Sequence, residues 1–298
     1  MPVAATFLFE DIDGQSLSSL ARLDTMATVV DAATFLDRFA HLEELTDLGV
    51  GRDEEDDRSV VDLVVDQVEF ANVIAISKPD LVSPQHLEKV VAMVRRLNPD
   101  ARLVVAENGN VPLEAVLDTG LFDEVEGEAA PGWAQILNDE VTPETEEYGI
   151  TSFVYRHRWP FHPKRLSREL NEAWPGVLRS KGFFWIASRP DMQAMWSHAG
   201  LSVMLEPLAP WYVSTPEDEW DLETDEERAE LMERWDPLLG DRQTEIVFIG
   251  IDMDEDAIRR RLDACILTGR EFEKGPEKWL KFRDPLPEWD LSCDLELE

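Results

Sequence analysis

Along the first third of the chain, short apolar runs rich in β-branched residues alternate with stretches of helical spacing. Residues 26–30, 72–77 and 101–106 read as strands, residues 57–70 as a helix, and residues 84–97 as a second helix with Ser83 as N-cap and Pro84 at its first position. Strands that are apolar throughout are buried on both faces, and strands separated by helices predict a parallel sheet of right-handed β-α-β units. Ligands on such sheets bind beyond the carboxyl ends of the strands. Asp31, residues 77–80 and residues 106–109 fall at those ends.

Beyond residue 148 the pattern changes. Residues 150–158 alternate as a strand, 163–174 form a helix, 181–188 and 201–205 further strands, 225–235 a charged helix, 244–251 a strand and 255–267 a helix. The order β-α-β-β-α-β-α predicts an antiparallel sheet with helices on one face, a ferredoxin-like arrangement. Composition separates the same two regions: all ten Trp and all three Tyr lie beyond residue 132, so the two cores are built differently. The join is placed in residues 124–147, an acidic stretch with Pro and Gly. The predicted class is α/β plus α+β, with domains over 1–130 and 148–290, a division that suits 298 residues at roughly 150 per domain. No internal repeat is present.

Charge narrows the function classes. With 28 Lys and Arg against 63 Asp and Glu, the formal charge is −35, which repels phosphate backbones and anionic membranes at long range; a surplus of this size is compatible with a salt-rich cytoplasm. No apolar run approaches the ~20 residues of a membrane span, and the opening Met1-Pro2-Val3-Ala4-Ala5-Thr6 lacks the cationic start and apolar core of a signal peptide. These features point to the cytoplasm. Two cysteines, Cys265 and Cys293, make neither a disulfide framework nor a four-thiolate zinc site.

The sharpest chemical signal is Val73-Ile74-Ala75-Ile76-Ser77-Lys78-Pro79-Asp80-Leu81. An apolar strand ending in Lys-x-Asp is how GTPases recognise guanine: the carboxylate accepts two hydrogen bonds, from N1–H and the exocyclic amine, while the lysine stem lies along the ring. Each bond to a charged group contributes about 1.5–3 kcal/mol, and adenine presents the wrong donors. Asp80 and Lys78 are the candidate base contacts, Ser77 stands beside them, and residues 106–109, with Ala106 and Asn108, form a candidate lid on the base. The alternative for the same residues is a buried strand ending in a polar turn.

The surrounding segments resemble the CobW-type GTPases. The resemblance is carried by residues 23–32 (Leu-Asp-Thr-Met-Ala-Thr-Val-Val-Asp-Ala), 66–74 leading into the Lys-x-Asp element, 97–101, 111–113 and 119–123. It continues in residues 155–163 (Tyr-Arg-His-Arg-Trp-Pro-Phe-His-Pro), 179–187 and 248–252, which are similar to the family's C-terminal domain. It implies an incomplete P-loop-type sheet followed by a CobW C-terminal domain, and a cytoplasmic GTP-dependent metallochaperone concerned with zinc or cobalt, with Mg²⁺ and Zn²⁺ belonging to the full-length family. Guanine nucleotide and a client metalloprotein are the implied partners. The chain departs from the family in three elements. It contains no G-x-x-x-x-G-K-[ST] loop and no C-x-C-C motif, and its Pro2-Val3-Ala4-Ala5-Thr6-Phe7 matches the segment that follows the family's Glu-Pro element. Ser77 stands where the family has Asn, and Asn72 where it has Asp. The expectation is a truncated member with weak or lost GTP binding and no hydrolysis by itself. The rivals are a half-protein complementing a chain that bears the P-loop, or a non-enzymatic interaction module whose exposed sheet edge residues 7–22 would cover.

Other features read as structure. Residues 156–168 hold no acid and form a basic island suited to an acidic partner or to phosphates, or simply a solvated strand-to-helix passage. His157 and His162 lack a third ligand at zinc spacing, and residues 53–57 lack the ligand spacing of a calcium loop. Residues 217–233 read as a charged helix surface and 290–298 as an acidic tail. Trp174, Phe183, Phe184 and Trp185 read as core, and Cys265 as an inert helix residue.

Overall fold

The structure, a computed structural model, describes residues 16–40, 59–122, 148–222 and 224–289. The predicted join at 124–147, residues 7–15, the acidic run 53–57 and the tail 290–298 lie outside the described residues. The chain divides into two compact units, the first running to Ile150 and including Ala199–Ser202, the second made of the remaining residues from Thr151.

In the first unit the described elements are β1 (Ala27–Asp31), α1 (Phe35–Arg38), α2 (Val60–Glu69), β2 (Val73–Ser77), α3 (Pro84–Leu97) and β3 (Arg102–Ala106). The strands form a parallel sheet in the order β1-β2-β3. β2 is central, and Val73 through Ile76 are buried, as its unbroken apolar run requires. Helix α3 spans the predicted residues. The Ser83 hydroxyl accepts the His86 amide at 3.2 Å, and Val90, Met93, Val94 and Leu97 bury one stripe of the helix. Helix α2 starts at Val60 because Ser59 and Asp62 form a reciprocal capping box. Asn72 stitches the start of the sheet, its side-chain oxygen accepting the Met26 amide at 2.8 Å. Buried Asn98 closes the far side, donating to the carbonyls of Val68 and Ala71 at 2.8 and 2.9 Å.

The second unit contains β4 (Ile150–His157), α4 (Pro163–Leu170), β5 (Val177–Ile186), β6 (Arg189–Ala199), β7 (Ser202–Pro210), α5 (Asp225–Glu233), β8 (Thr244–Ile251), α6 (Glu255–Cys265), α7 (Gly269–Phe272) and α8 (Pro276–Trp279). The sheet order is β4-β8-β5-β6-β7. β8 sits between β4 and β5, and β6 and β7 extend the far edge. The sequence pattern missed β6 altogether. Its inward positions are Ala194, Trp196 and His198, so a single large apolar residue stands between a small one and a polar one, with Pro190 near the start of the strand. The helix predicted over 163–174 stops at Leu170. Asn171 caps it, donating to the Ser167 carbonyl at 2.6 Å, and Trp174 falls in the following turn, where it is buried.

Alternating residues of β5 feed two cores. Phe184 and Ile186 join Trp174, Trp196, Phe248, Leu166, Ile258 and Leu262 beneath α4 and α6. Trp185 points the other way, to Trp211, Leu239, Leu267 and Trp279, joined by Ala187 in the turn after the strand. The helices are therefore not confined to one face, because α7 and α8 contribute Phe272 and Trp279 to the second core. Gly182 lets β5 approach β8: its φ is +155°, and an added Cβ would lie 2.1 Å from the Glu245 carbonyl oxygen. Cys265 is buried, and burial pushes its thiol up to about 11, which keeps it protonated and unreactive at neutral pH.

Glu271 ties α7 to α4. It accepts both terminal nitrogens of Arg165, at 3.0 and 2.8 Å, and the amide and hydroxyl of Thr268 at 2.9 and 3.0 Å. Arg165, helped by Thr268 and opposed by burial, holds the Glu271 carboxyl down at about 2. A folded value below the unfolded 4.5 means that this stabilisation is complete above pH 4.5 and is lost as pH falls toward 2. Glu271→Gln is expected to lower stability at neutral pH by about 1–3 kcal/mol. It is also expected to reduce the fall of the urea midpoint below pH 4.5. A variant with the parent's midpoint at neutral pH and the parent's acid slope would refute this assignment.

Candidate nucleotide-base site

The parallel register brings Asp31, Ser77 and Ala106 level at the carboxyl ends of β1, β2 and β3. Adjacent strands lie about 4.8 Å apart, so the three positions form one short row. The Ser77 hydroxyl donates to the Val30 carbonyl at 3.2 Å, and the Ser77 carbonyl accepts the Ala32 amide at 3.0 Å. Ser77 thus braces β1 against β2.

The chain turns sharply after Ser77. Lys78 adopts the left-handed conformation, φ 56° and ψ 41°, at a cost of roughly 1–2 kcal/mol for a residue with a Cβ. Pro79–Leu81 then forms a single 3-10 turn, closed by the Leu81 amide on the Lys78 carbonyl at 3.2 Å. Lys78 Nζ lies 2.5 Å from Asp31 Oδ2, while Asp31 Oδ1 accepts the Ala33 amide at 2.9 Å. Burial pushes the Asp31 carboxyl up, but the Lys78 hydrogen bond, the Ala33 amide and the Lys78 charge outweigh it and hold the group below the usual carboxylate range. Asp31 remains ionised and pins the end of the Lys78 stem. Asp80 is exposed on the 3-10 turn, and its carboxylate makes no hydrogen bond to any described residue, so its oxygens are open to an incoming donor.

Beyond β3 the residues predicted as a lid form a tight turn. Asn108 and Gly109 both have positive φ, 51° and 75°, and the Asn110 amide donates to the Glu107 carbonyl at 3.0 Å. Ala106 is buried at the strand end and Asn108 is exposed on the turn. Farther along, the Asp24 carboxylate accepts the amides of Thr119 and Gly120 at 2.7 and 3.0 Å, which lower its pKa.

The structure therefore places Ser77, Lys78 and Asp80 on one strand end and its turn, and Ala106 and Asn108 on the neighbouring strand end. It adds Asp31, which the sequence located at a strand end without giving it a role. The available signal was an aspartate ending the strand that pairs with the Lys-x-Asp strand.

Residues 1–105 match the family described as CobW/HypB/UreG, nucleotide-binding domain, and residues 150–266 match the Cobalamin synthesis protein cobW C-terminal domain. The chain belongs to the CobW family. Among relatives, it is 40% identical over 307 residues to Zinc-regulated GTPase metalloprotein activator 1 of Dictyostelium discoideum, covering 100% of this chain and 62% of that protein. It is 29% identical over 280 residues to Zinc chaperone Rv0106 of Mycobacterium tuberculosis (strain ATCC 25618 / H37Rv), covering 91% of this chain and 63% of that one. The Zn(II)-bound YjiA GTPase from E. coli is a solved structure that superposes with a TM-score of 0.32 at 19% identity, over 89% of this chain and 67% of that one. This CobW-family chain spans less than two thirds of the length of these two curated relatives. Among the described residues no group of three or more His, Cys, Asp and Glu stands together as a metal site, and no helix is long and apolar enough to cross a membrane.

Proposed function

We propose that residues 1–122 supply the guanine-recognition part of a cytoplasmic CobW-type GTP-binding metallochaperone, and that the second unit couples nucleotide state to zinc delivery to a client metalloprotein. The observation that carries the reading is the Asp31–Lys78–Asp80 arrangement: a lysine stem anchored at its tip by one carboxylate, next to a second carboxylate that is exposed and open. The stem offers an apolar edge to a purine ring, and Asp80 offers two acceptors to the paired N–H groups of guanine. In this reading Asn108, exposed on the turn after β3, covers the base, and Ala106, buried at the strand end, backs that turn. The names of the relatives, a zinc-regulated activator and a zinc chaperone, support zinc over cobalt as the cargo.

GTP fits these residues at its base. Its phosphates would need a G-x-x-x-x-G-K-[ST] loop and a hydroxyl for Mg²⁺, and the 298 residues contain no such segment. In this reading phosphate binding and hydrolysis depend on further residues or another chain, and the nucleotide binds this chain weakly through its base alone.

Saturation-transfer NMR with guanosine, GDP, adenosine and ADP tests the reading, because it detects weak ligands. Guanosine and GDP are expected to bind comparably and the adenine pair not to bind. Equal signals from guanine and adenine ligands would refute base recognition. GDP binding far tighter than guanosine would show a phosphate site that the reading denies.

A further inference from the structure

The charge of −35 is distributed unevenly. Residues 156–168 and 269–283 hold ten of the 28 Lys and Arg but only three of the 63 Asp and Glu, a local surplus of cations inside a strongly acidic molecule. Tertiary contacts join these stretches into one surface of the second unit. Arg165 forks onto Glu271, the His162 ring stacks on Phe282 at 4.7 Å between centroids, and Trp279 Nε1 donates to the Glu271 carbonyl at 2.9 Å. Glu271, one of the three acids, is thereby neutralised within the fold.

On this surface Lys164, Arg168, Arg270, Lys278, Lys281 and Arg283 are exposed, and none of them forms an ion pair with a described residue. The contrast lies within the same unit, where Arg156, Arg189, Arg242 and Arg261 each hold a carboxylate. Lys164 and Arg168 share one face of α4, one helical turn apart. Leu280, between Lys278 and Lys281, leaves 57% of its surface in solvent.

We propose that this strip is a docking surface for an acidic segment of a partner protein that places an apolar side chain against Leu280. The unpartnered cations select carboxylates, and the exposed leucine selects a peptide over a purely ionic ligand. The remaining surface decides against nucleic acid. Screening limits the reach of the strip to about 8 Å at physiological salt, and a long polyanion would run past it into the acidic surplus elsewhere, whereas a short acidic segment stays within it. The proposal lies wholly in the second unit and does not rest on the nucleotide reading.

The test uses the full chain and a fluorescein-labelled ten-residue peptide of glutamate and aspartate around a central leucine, followed by fluorescence anisotropy. Saturable binding is expected at about 50 mM salt, weakening about tenfold or more at about 500 mM. The triple reversal Lys278→Glu, Lys281→Glu, Arg283→Glu is expected to weaken binding at least about tenfold, and Leu280→Ser about threefold. The matched reversal Arg38→Glu, Arg95→Glu, Arg102→Glu in the first unit is expected to change binding less than about twofold. Circular dichroism checks that each variant folds, which six exposed cations without partners lead one to expect. Several outcomes would overturn the proposal: no saturable binding at the lower salt, equal loss in the two triple variants, or equal or tighter binding of a ten-residue single-stranded oligonucleotide. Peptide binding that emerges only after removal of residues 290–298 would make the chain's own acidic end the occupant instead, and self-association abolished by the strip reversal would make it a second copy.

Discussion

Under the proposed base recognition, Asp80→Ala is expected to abolish discrimination of guanine from adenine nucleosides while leaving the unfolding midpoint in place. The carboxylate is the only group of the Lys-x-Asp element placed to accept both guanine N–H donors, at about 1.5–3 kcal/mol for each bond to a charged acceptor. Losing both corresponds to about 3–6 kcal/mol, or roughly 10²–10⁴ in affinity. The fold does not depend on the side chain, which is exposed and makes no hydrogen bond to a described residue, so stability should move by less than about 0.5 kcal/mol. Asp80→Asn sharpens the test. An amide offers one acceptor and one donor, which suits xanthine, whose 2-position carries an oxygen, better than guanine. The preference should therefore pass from guanosine to xanthosine. Asp31→Asn should weaken guanosine binding to a smaller degree, because it releases the Lys78 tip from its 2.5 Å pairing without removing a base contact. Guanosine binding unaltered in Asp80→Ala would place the base elsewhere.

The largest expected effect on stability is at Trp196, whose replacement by alanine should cost about 3–5 kcal/mol. The ring has no solvent exposure. It stands edge-to-face against Phe184 and Trp174, with centroids 5.9 and 6.1 Å apart, and its Nε1 donates to the buried Ser180 hydroxyl at 2.8 Å. Truncation would open a cavity between β6 and the helices and remove a partner from Ser180, against a total stability of about 5–15 kcal/mol for a typical domain. Trp196→Phe keeps most of the volume and loses the N–H, so it should cost about 1–3 kcal/mol. Urea unfolding followed by circular dichroism measures both. A loss under about 1 kcal/mol in the alanine variant would show that this cluster is not a main contributor to stability of the second unit.

Much of this architecture is legible in short stretches of sequence. Residues 84–97 form the helix that Ser83 and Pro84 announce, and residues 244–251 form the strand that their apolar run announces. The Lys-x-Asp element sits at a strand end because Val73 through Ile76 leave no other reading. The failures have equally specific causes. β6 has only one large apolar residue, Trp196, on its inward face between Ala194 and His198, so no sustained apolar alternation marks it, and α4 ends early because a local cap at Asn171 outweighs the helical spacing of the residues that follow. Phe184, Trp185 and Trp174 read correctly as core, but only packing assigns Trp185 to a different core from its neighbour.

By itself the sequence determined what is decided within a few residues: strand and helix positions set by apolar period, helix starts set by caps, the guanine-type spacing of Lys78 and Asp80, and the acidic surplus. Tertiary structure decided what depends on residues far apart in the chain. The insertion of β8 between β4 and β5 is one such result, and the pairing of Lys78 with Asp31 across 47 positions is another. The strip that joins Lys164 and Arg168 to cations more than a hundred residues later is a third. Local signals arise from backbone sterics and side chains one turn or one pleat apart, whereas these contacts exist only once strand register and helix docking have brought separate segments together.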